Sequence, residues 1–268
     1  MSKRFLLFLF LLIALTAFAQ SNDDQWHKNF PLTGKPDLRF NTGDTNIHIE
    51  PWDQNSIDVQ LITQNWKIGT HGLAIHEHQT GNLVELEVPT NDHGVHFNIG
   101  WERSRRVDIT VRMPREAKLD IHTQDGNIDI HNMKGDFLLK SGDGHQRLDD
   151  LDGNLDSTSG DGRIELSGRF DVLHLHSGDG RIEARVKSGS KMERDWSLHA
   201  GDGSITLRLP KDFSADVSMH TRDGHINVNL PITVQGKLGG NDIRGKLNAG
   251  GQLLSIHTGD GSIHLEND

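Results

Sequence analysis

The chain has 268 residues and a formal net charge of −10, from 38 acidic and 28 basic side chains, a balance that argues against nucleic acid or an anionic membrane surface as partner. It has no cysteine, which excludes disulfides, a lipoprotein anchor and a thiol nucleophile. Glycine (29 residues) far outnumbers proline (7), tyrosine is absent and aromatics are 6%, a mixture that suits short strands and tight turns better than helices.

The first segment, MSKRFLLFLFLLIALTAFAQ, reads as a secretory signal peptide over residues 1–19. Lys3 and Arg4 precede an apolar run over residues 5–15, and Ala17-Phe18-Ala19 is a small-x-small cleavage site, which makes Gln20 the first mature residue. The run is shorter than the roughly 20 residues a spanning helix needs, and no later stretch is apolar enough to cross a bilayer. The expected location is therefore periplasmic, cell-surface or extracellular. Cleavage removes two basic residues and no acid, so the exported chain is more acidic still.

Residues 20–36 read as a polar leader. Residues 37–115 read as an irregular β part, in which SIDVQLIT, NLVELEVP and RVDITVRM alternate apolar and polar residues. Residues 116–268 carry a repeat, and residues 37–268 are expected to form one continuous domain.

The repeat is centred on Asp-Gly pairs at Asp125, Asp143, Asp161, Asp179, Asp202, Asp223 and Asp260, with a weaker copy, FNTGDTNIHI, at Asp44. Successive spacings from Asp125 are 18, 18, 18, 23, 21 and 37 residues. Around Asp179, apolar residues stand at Leu173, Leu175, Ile182 and Ala184, with Ser177 as a small residue two before the turn; the other copies follow suit. This is period two on both sides of a turn. Ser157 and Gln146 break the inward pattern, so their rungs are expected to pack less well. The glycines are expected to supply positive φ, and the Asp to bond its own backbone. A second turn recurs at Lys134-Gly135-Asp136 and Asp152-Gly153-Asn154. An antiparallel β-meander of hairpins satisfies this pattern, since Asp-Gly is a hairpin signal. So does a repetitive all-β solenoid, β-helix-like or β-roll-like, built from units of about 18–23 residues, and like-on-like matching favours it.

A longer echo supports one continuous body: ITVRMPREAKLDIHTQDGNIDI over residues 109–130 resembles ITLRLPKDFSADVSMHTRDGHINV over residues 205–228. Residues 231–250, rich in Gly and Asn, read as an insertion before the last rung. No convincing helix follows the signal.

The run RMPREAKLDIHTQDGNIDIHNMKGDFLLKSGDG, the later S-G-D-G-x-I units and the ending GKLNAGGQLLSIHTGDGSIHL resemble the bacterial DUF4097 proteins. These are a β-strand-repeat family to which an adhesin role is ascribed. The resemblance covers residues 37–265 and implies an exported, solenoid-like all-β fold. It brings no catalytic residues with it.

The turns do not read as phosphate loops, because a strand rather than a helix follows each one. Calcium is an alternative: stacked turn carboxylates about 4.8 Å apart repel one another and would recruit a cation, although the nine-residue calcium-roll motif is missing. Three residues before the turn stand His122, His176, His199, His220 and His257, with Lys140 and Thr158 in the same position. By parity they face outward, and His176, His199 and His220 are expected on successive rungs. Such a ladder could hold zinc, copper or nickel, or sense pH; the plain alternative is an exposed polar strip. His76 and His78 alternate within one strand. Arg163 with Glu165, and Arg181 with Glu183, also face outward, as a charge lattice or a ligand face. Polysaccharide lyases place Arg, Lys and Asp on such a face, but need a cleft and a base besides. No G-x-S-x-G and no H-E-x-x-H is present.

The sequence therefore points to an exported, non-catalytic adhesin-like binding or structural module of the envelope, meeting a surface protein or glycan through weak contacts repeated at fixed spacing. The alternatives are a metal-binding module and a carbohydrate-active β-helix enzyme.

Overall fold

The computed structural model describes residues 23–69, 72–90, 105–234 and 240–268. The expected signal peptide, residues 1–19, and the start at Gln20 lie outside the described residues. The described residues form no helix. The strands are, in chain order, β1 (Gln25–Pro31), β2 (Asp37–Thr42), β3 (Asn46–Pro51), β4 (Ser56–Gln64), β5 (His76–Thr80), β6 (Leu83–Val88) and β7 (Arg106–Met113). The repeat contributes β8 (Glu116–Thr123), β9 (Ile128–His131), β10 (Lys134–Ser141), β11 (Gln146–Ser159), β12 (Ile164–Ser177), β13 (Ile182–Val186), β14 (Trp196–Ala200) and β15 (Ile205–Leu209). The chain ends with β16 (Ala215–Thr221), β17 (Ile226–Asn229), β18 (Ile232–Val234), β19 (Asp242–Leu247), β20 (Leu253–Thr258) and β21 (Ile263–Asn267).

The repeat is a solenoid, not a meander of hairpins. Phe137 pairs with Leu155 and Ile164 with Ile182, each in a parallel ladder one 18-residue unit apart. Each rung places one strand before the Gly-Asp-Gly turn on a first face and one strand after it on a second face. The long strands β11 and β12 run through the second turn and so join the two faces. Inward residues of both faces meet in a single core. Leu173, Leu175, Ile182 and Ala184 of one rung are all buried, as are the larger Trp196, Phe170 and Phe30.

The turn works differently from expectation. The positive-φ glycines of the second turn are Gly135 and Gly153, at 137° and 132°; no glycine of a Gly-Asp-Gly triplet has positive φ. The second glycine of each triplet is needed for stacking. A Cβ on Gly144, Gly162 or Gly203 would stand 2.0 Å from the carbonyl oxygen of the equivalent glycine one rung away. The turn is tied down by hydroxyls and amides rather than by its own carboxylate. Ser141 Oγ donates to the Gly144 carbonyl (3.0 Å), Ser177 Oγ to Gly162 (3.2 Å) and Thr258 Oγ1 to Gly203 (2.7 Å). The amide of Gly178 donates to the Gly160 carbonyl at 2.6 Å, and that of Asp179 to the same oxygen at 3.2 Å. This explains why the residue two before the Asp is small and, in most copies, hydroxylated: it caps the turn from inside.

Gln146 and Ser157 do not loosen their rungs. Both are buried, and they face each other across the interior: Ser157 Oγ donates to Gln146 Oε1 (2.6 Å), while Gln146 Nε2 donates to Ser141 Oγ (2.9 Å) and the Thr158 carbonyl (2.7 Å). Two polar breaks in neighbouring repeat copies thus compensate each other.

Chain order and stacking order differ at both ends. Strands β2 and β3 lie between the β6–β7 rung and the β8–β9 rung. Strands β20 and β21 lie between the β14–β15 rung and the β16–β17 rung, so the last strands of the chain are not the last in the stack. The sequence echo marks this manoeuvre. At Met113-Pro114 and at Leu209-Pro210 the chain leaves one rung and re-enters two rungs on, skipping one that another segment fills. Antiparallel strands cover the ends: β1 and β4 beside β7, β5 beside β6, and β19 with β18 beside β16. The leader is thus not merely polar. It supplies β1 and buries Phe30 and Leu32, and the Gly-rich insertion supplies β18 and β19. Covering the edges removes most of the open ladder that would otherwise template aggregation.

Candidate functional site

On the first face, period two sends one residue of each strand outward in register from rung to rung. This row contains His122, Lys140, Thr158, His176, His199, His257 and His220 in stacking order, ending against Asp242 of β19. Four of the five expected histidines form a stack. Ring centroids of His176 and His199 are 5.0 Å apart, those of His199 and His257 4.9 Å, and those of His257 and His220 5.0 Å, with planes within 7° of parallel. His199 and His220 are not adjacent, because β20 brings His257 between them. His122 stands apart, three rungs from His176 with Lys140 and Thr158 between, and lies 3.2 Å from Asp120.

The stack shapes its own titration. Burial, then the neighbouring His176 and His257, pushes the His199 imidazole below its ordinary range. Burial, then His220 and Arg222, does the same to His257. His220 Nδ1 lies 2.8 Å from Asp242 at the far end.

The turn aspartates line one edge of the solenoid, stacked as Asp125, Asp143, Asp161, Asp179, Asp202, Asp260 and Asp223. Arg222 donates to Asp260 across rungs (Nη2–Oδ1 2.6 Å). At the weak first copy, burial and then the charge of Asp125 raise the Asp44 carboxyl, against a backbone hydrogen bond at Asp125. On the second face, Arg163 pairs with Glu165 (2.7 Å) and Arg181 with Glu183 (3.3 Å), each arginine standing just before the strand that carries its glutamate, and the two glutamates sit in register. Hydrogen bonding to Glu165 and its charge raise the Arg163 guanidinium further. All four side chains are about one-third to one-half exposed.

One cluster escaped the sequence reading. His48 of β3 and Asp129 and His131 of β9 bring one donor atom each within 4.8 Å of one another. Among the described residues, this is the group of three or more histidines and carboxylates that gathers so closely. The turn aspartates and the histidine stack do not. Asp129 Oδ2 lies 3.4 Å from His48 Nδ1, and Asp129 Oδ1 lies 2.7 Å from His131 Nε2. His48 Nε2 faces Glu50 Oε2 at 3.7 Å. The signal in the sequence was the pair N-I-H-I-E and N-I-D-I-H, which exchange histidine and carboxylate at matching places. Their adjacency is hidden, because the two strands stand 81 residues apart.

These features define a two-faced parallel β-solenoid with outward polar rows and strand-capped ends. The chain belongs to the Toastrack DUF4097 family, which it matches over residues 36–193 and 152–266. Among solved structures it is similar to a "putative cell adhesion protein" from Clostridium sporogenes, at 17% identity and a TM-score of 0.45, covering 91% of this chain and 99% of that one. It is also similar to a "putative lipid binding protein" from Parabacteroides distasonis (12% identity, TM-score 0.39) and a "putative adhesin" from Bacteroides fragilis (12%, 0.33), each match covering 91% of this chain and 97% of the other. No relative of curated function matches the chain.

Proposed function

We propose that this chain is an exported, non-catalytic binding or structural module of the cell envelope that meets a glycan or surface protein through its outward rows. The observation that carries this reading is the register. Outward polar side chains recur at every strand spacing, about 4.8 Å, along an open face, and in places neighbouring rungs carry the same residue. Glu165 with Glu183 is such a pair, and each glutamate holds its own arginine, Arg163 and Arg181. Each contact of this sort is weak, and a repeating ligand adds them. Export rests on the N-terminal segment over residues 1–19. The purified chain should bind a subset of a glycan array, or isolated envelope, saturably. Replacing Arg163 and Arg181 together with Ala should weaken that binding about tenfold or more, with the melting temperature little changed. Unaltered binding in the double variant would remove the second face as the contact, and turnover of a polysaccharide would remove the non-catalytic reading.

The histidine stack supports a second reading, a pH-responsive strip. Parallel rings hold their nitrogen lone pairs in separate planes, a geometry suited to mutual repulsion on protonation rather than to convergence on one ion.

A further inference from the structure

We propose that His48, Asp129 and His131 form a binding site for a transition-metal dication of the zinc class, independent of the histidine stack and of the turn aspartates. Two imidazole nitrogens and a carboxylate oxygen are the donor set that zinc, nickel or copper prefers, and calcium does not. The spacing suits it. Donors about 2.0–2.2 Å from a tetrahedral ion stand roughly 3.3 Å from one another, and Asp129 Oδ2 is 3.4 Å from His48 Nδ1. His48 offers Nδ1 to this centre while Nε2 faces the Glu50 carboxylate at 3.7 Å, the arrangement that orients a metal-bound imidazole from its far side.

A separate observation points the same way. Asp129 Oδ1 is closed off from solvent and has no hydrogen-bond partner, although His131 Nε2 is only 2.7 Å away. A carboxylate oxygen so placed is costly unless a cation or a well-aimed donor meets it. The surroundings carry both signs. Glu50 and Asp149 flank His131, whereas Arg147 stands beside Asp129 and Arg112 beside Glu50. Glu50, Asp129 and Asp149 outnumber the two guanidiniums, and Lys187, which also acts on Asp149, is paired with Asp150 at 2.6 Å, so the local field tolerates a dication. All three proposed ligands are 27–39% exposed on the second face, so an ion reaches them without opening the core. Three protein ligands leave a coordination position facing outward, for water or for a donor from a partner.

The test is calorimetric titration of the untagged chain with zinc, repeated with cobalt and read by absorption of the ligand field. One tight equivalent is expected. His131→Ala and His48→Ala should each abolish it, Glu50→Gln should weaken it about 10–100-fold, and His199→Ala should leave it intact. Circular dichroism checks that each variant folds, and Glu50→Gln, at an exposed carboxylate, decides the matter should a histidine variant fail to. Binding lost in His199→Ala but kept in His131→Ala would overturn the proposal in favour of the stack. Absence of any stoichiometric binding would overturn it outright.

Discussion

A methyl group on Gly162 would stand 2.0 Å from the Gly144 carbonyl oxygen, and that one distance accounts for the most conspicuous letters in the sequence. The triplet was legible as a turn, but the reason for its glycines was not. Positive φ is a property of one residue, whereas close stacking is a property of two rungs. Gln146 and Ser157 teach the same lesson. Each looks like a defect alone, yet together they form a satisfied buried pair. Replacing Gln146 with Ile, the residue at that place in most copies, should therefore cost about 1–3 kcal/mol, by leaving the Ser157 hydroxyl without its acceptor. Ser157→Leu should cost a similar amount. The double variant should recover much of the loss, with a coupling of about 0.5–3 kcal/mol. Urea denaturation of all four proteins measures this, and strictly additive losses would show that the two side chains do not depend on each other.

At the scale of strands, period two was enough to find most elements. SIDVQLIT, NLVELEVP and RVDITVRM became β4, β6 and β7. The faces were legible too, since the histidines point outward as parity requires. What parity cannot tell is which strand lies beside which. For that reason His257 was not placed between His199 and His220, and His48 was not brought to His131. The stack that results has a pH consequence. His199 and His257 titrate below their ordinary range in the folded chain, so the unfolded chain takes up protons first as pH falls. Stability from these groups is intact above about pH 6.5 and declines below it, towards their folded values. Arg222 adds to this trend at His257, and Asp242 faces His220 at the end of the stack. The variant His199→Gln with His257→Gln should thus lose less melting temperature between pH 7.5 and pH 5.5 than the parent. Equal losses in the two proteins would show that the stack does not repel itself on protonation.

Over the whole molecule, a repeat length of 18 was read as a solenoid, and the parallel registers bear that out. The longer spacings of 23, 21 and 37 residues were legible as departures from an even repeat, the last as an insertion, but not as a change of order. Physically, a rung can be filled by any segment with the right alternation and turn. The chain uses this freedom at both ends, where a proline-marked crossover skips a rung and another segment fills it. At the C-terminal end this packs β20 and β21 inside the stack and leaves the insertion strands β18 and β19 to cover the exposed edge of β16. Outward rows, the imidazole stack and the His48 cluster all depend on this order.

Cysteine cross-linking tests that order directly, on a chain with no native cysteine. Ser197, Ser255 and Ser218 lie in one outward row on β14, β20 and β16, in that sequence. Adjacent strands are about 4.8 Å apart, within reach of a disulfide, and strands two apart are not. Under mild oxidation, Ser197→Cys with Ser255→Cys should form an intramolecular disulfide rapidly, and Ser197→Cys with Ser218→Cys should not. A disulfide in the second pair and none in the first would mean that the rungs follow chain order, and the stack of His199, His257 and His220 would not exist as described.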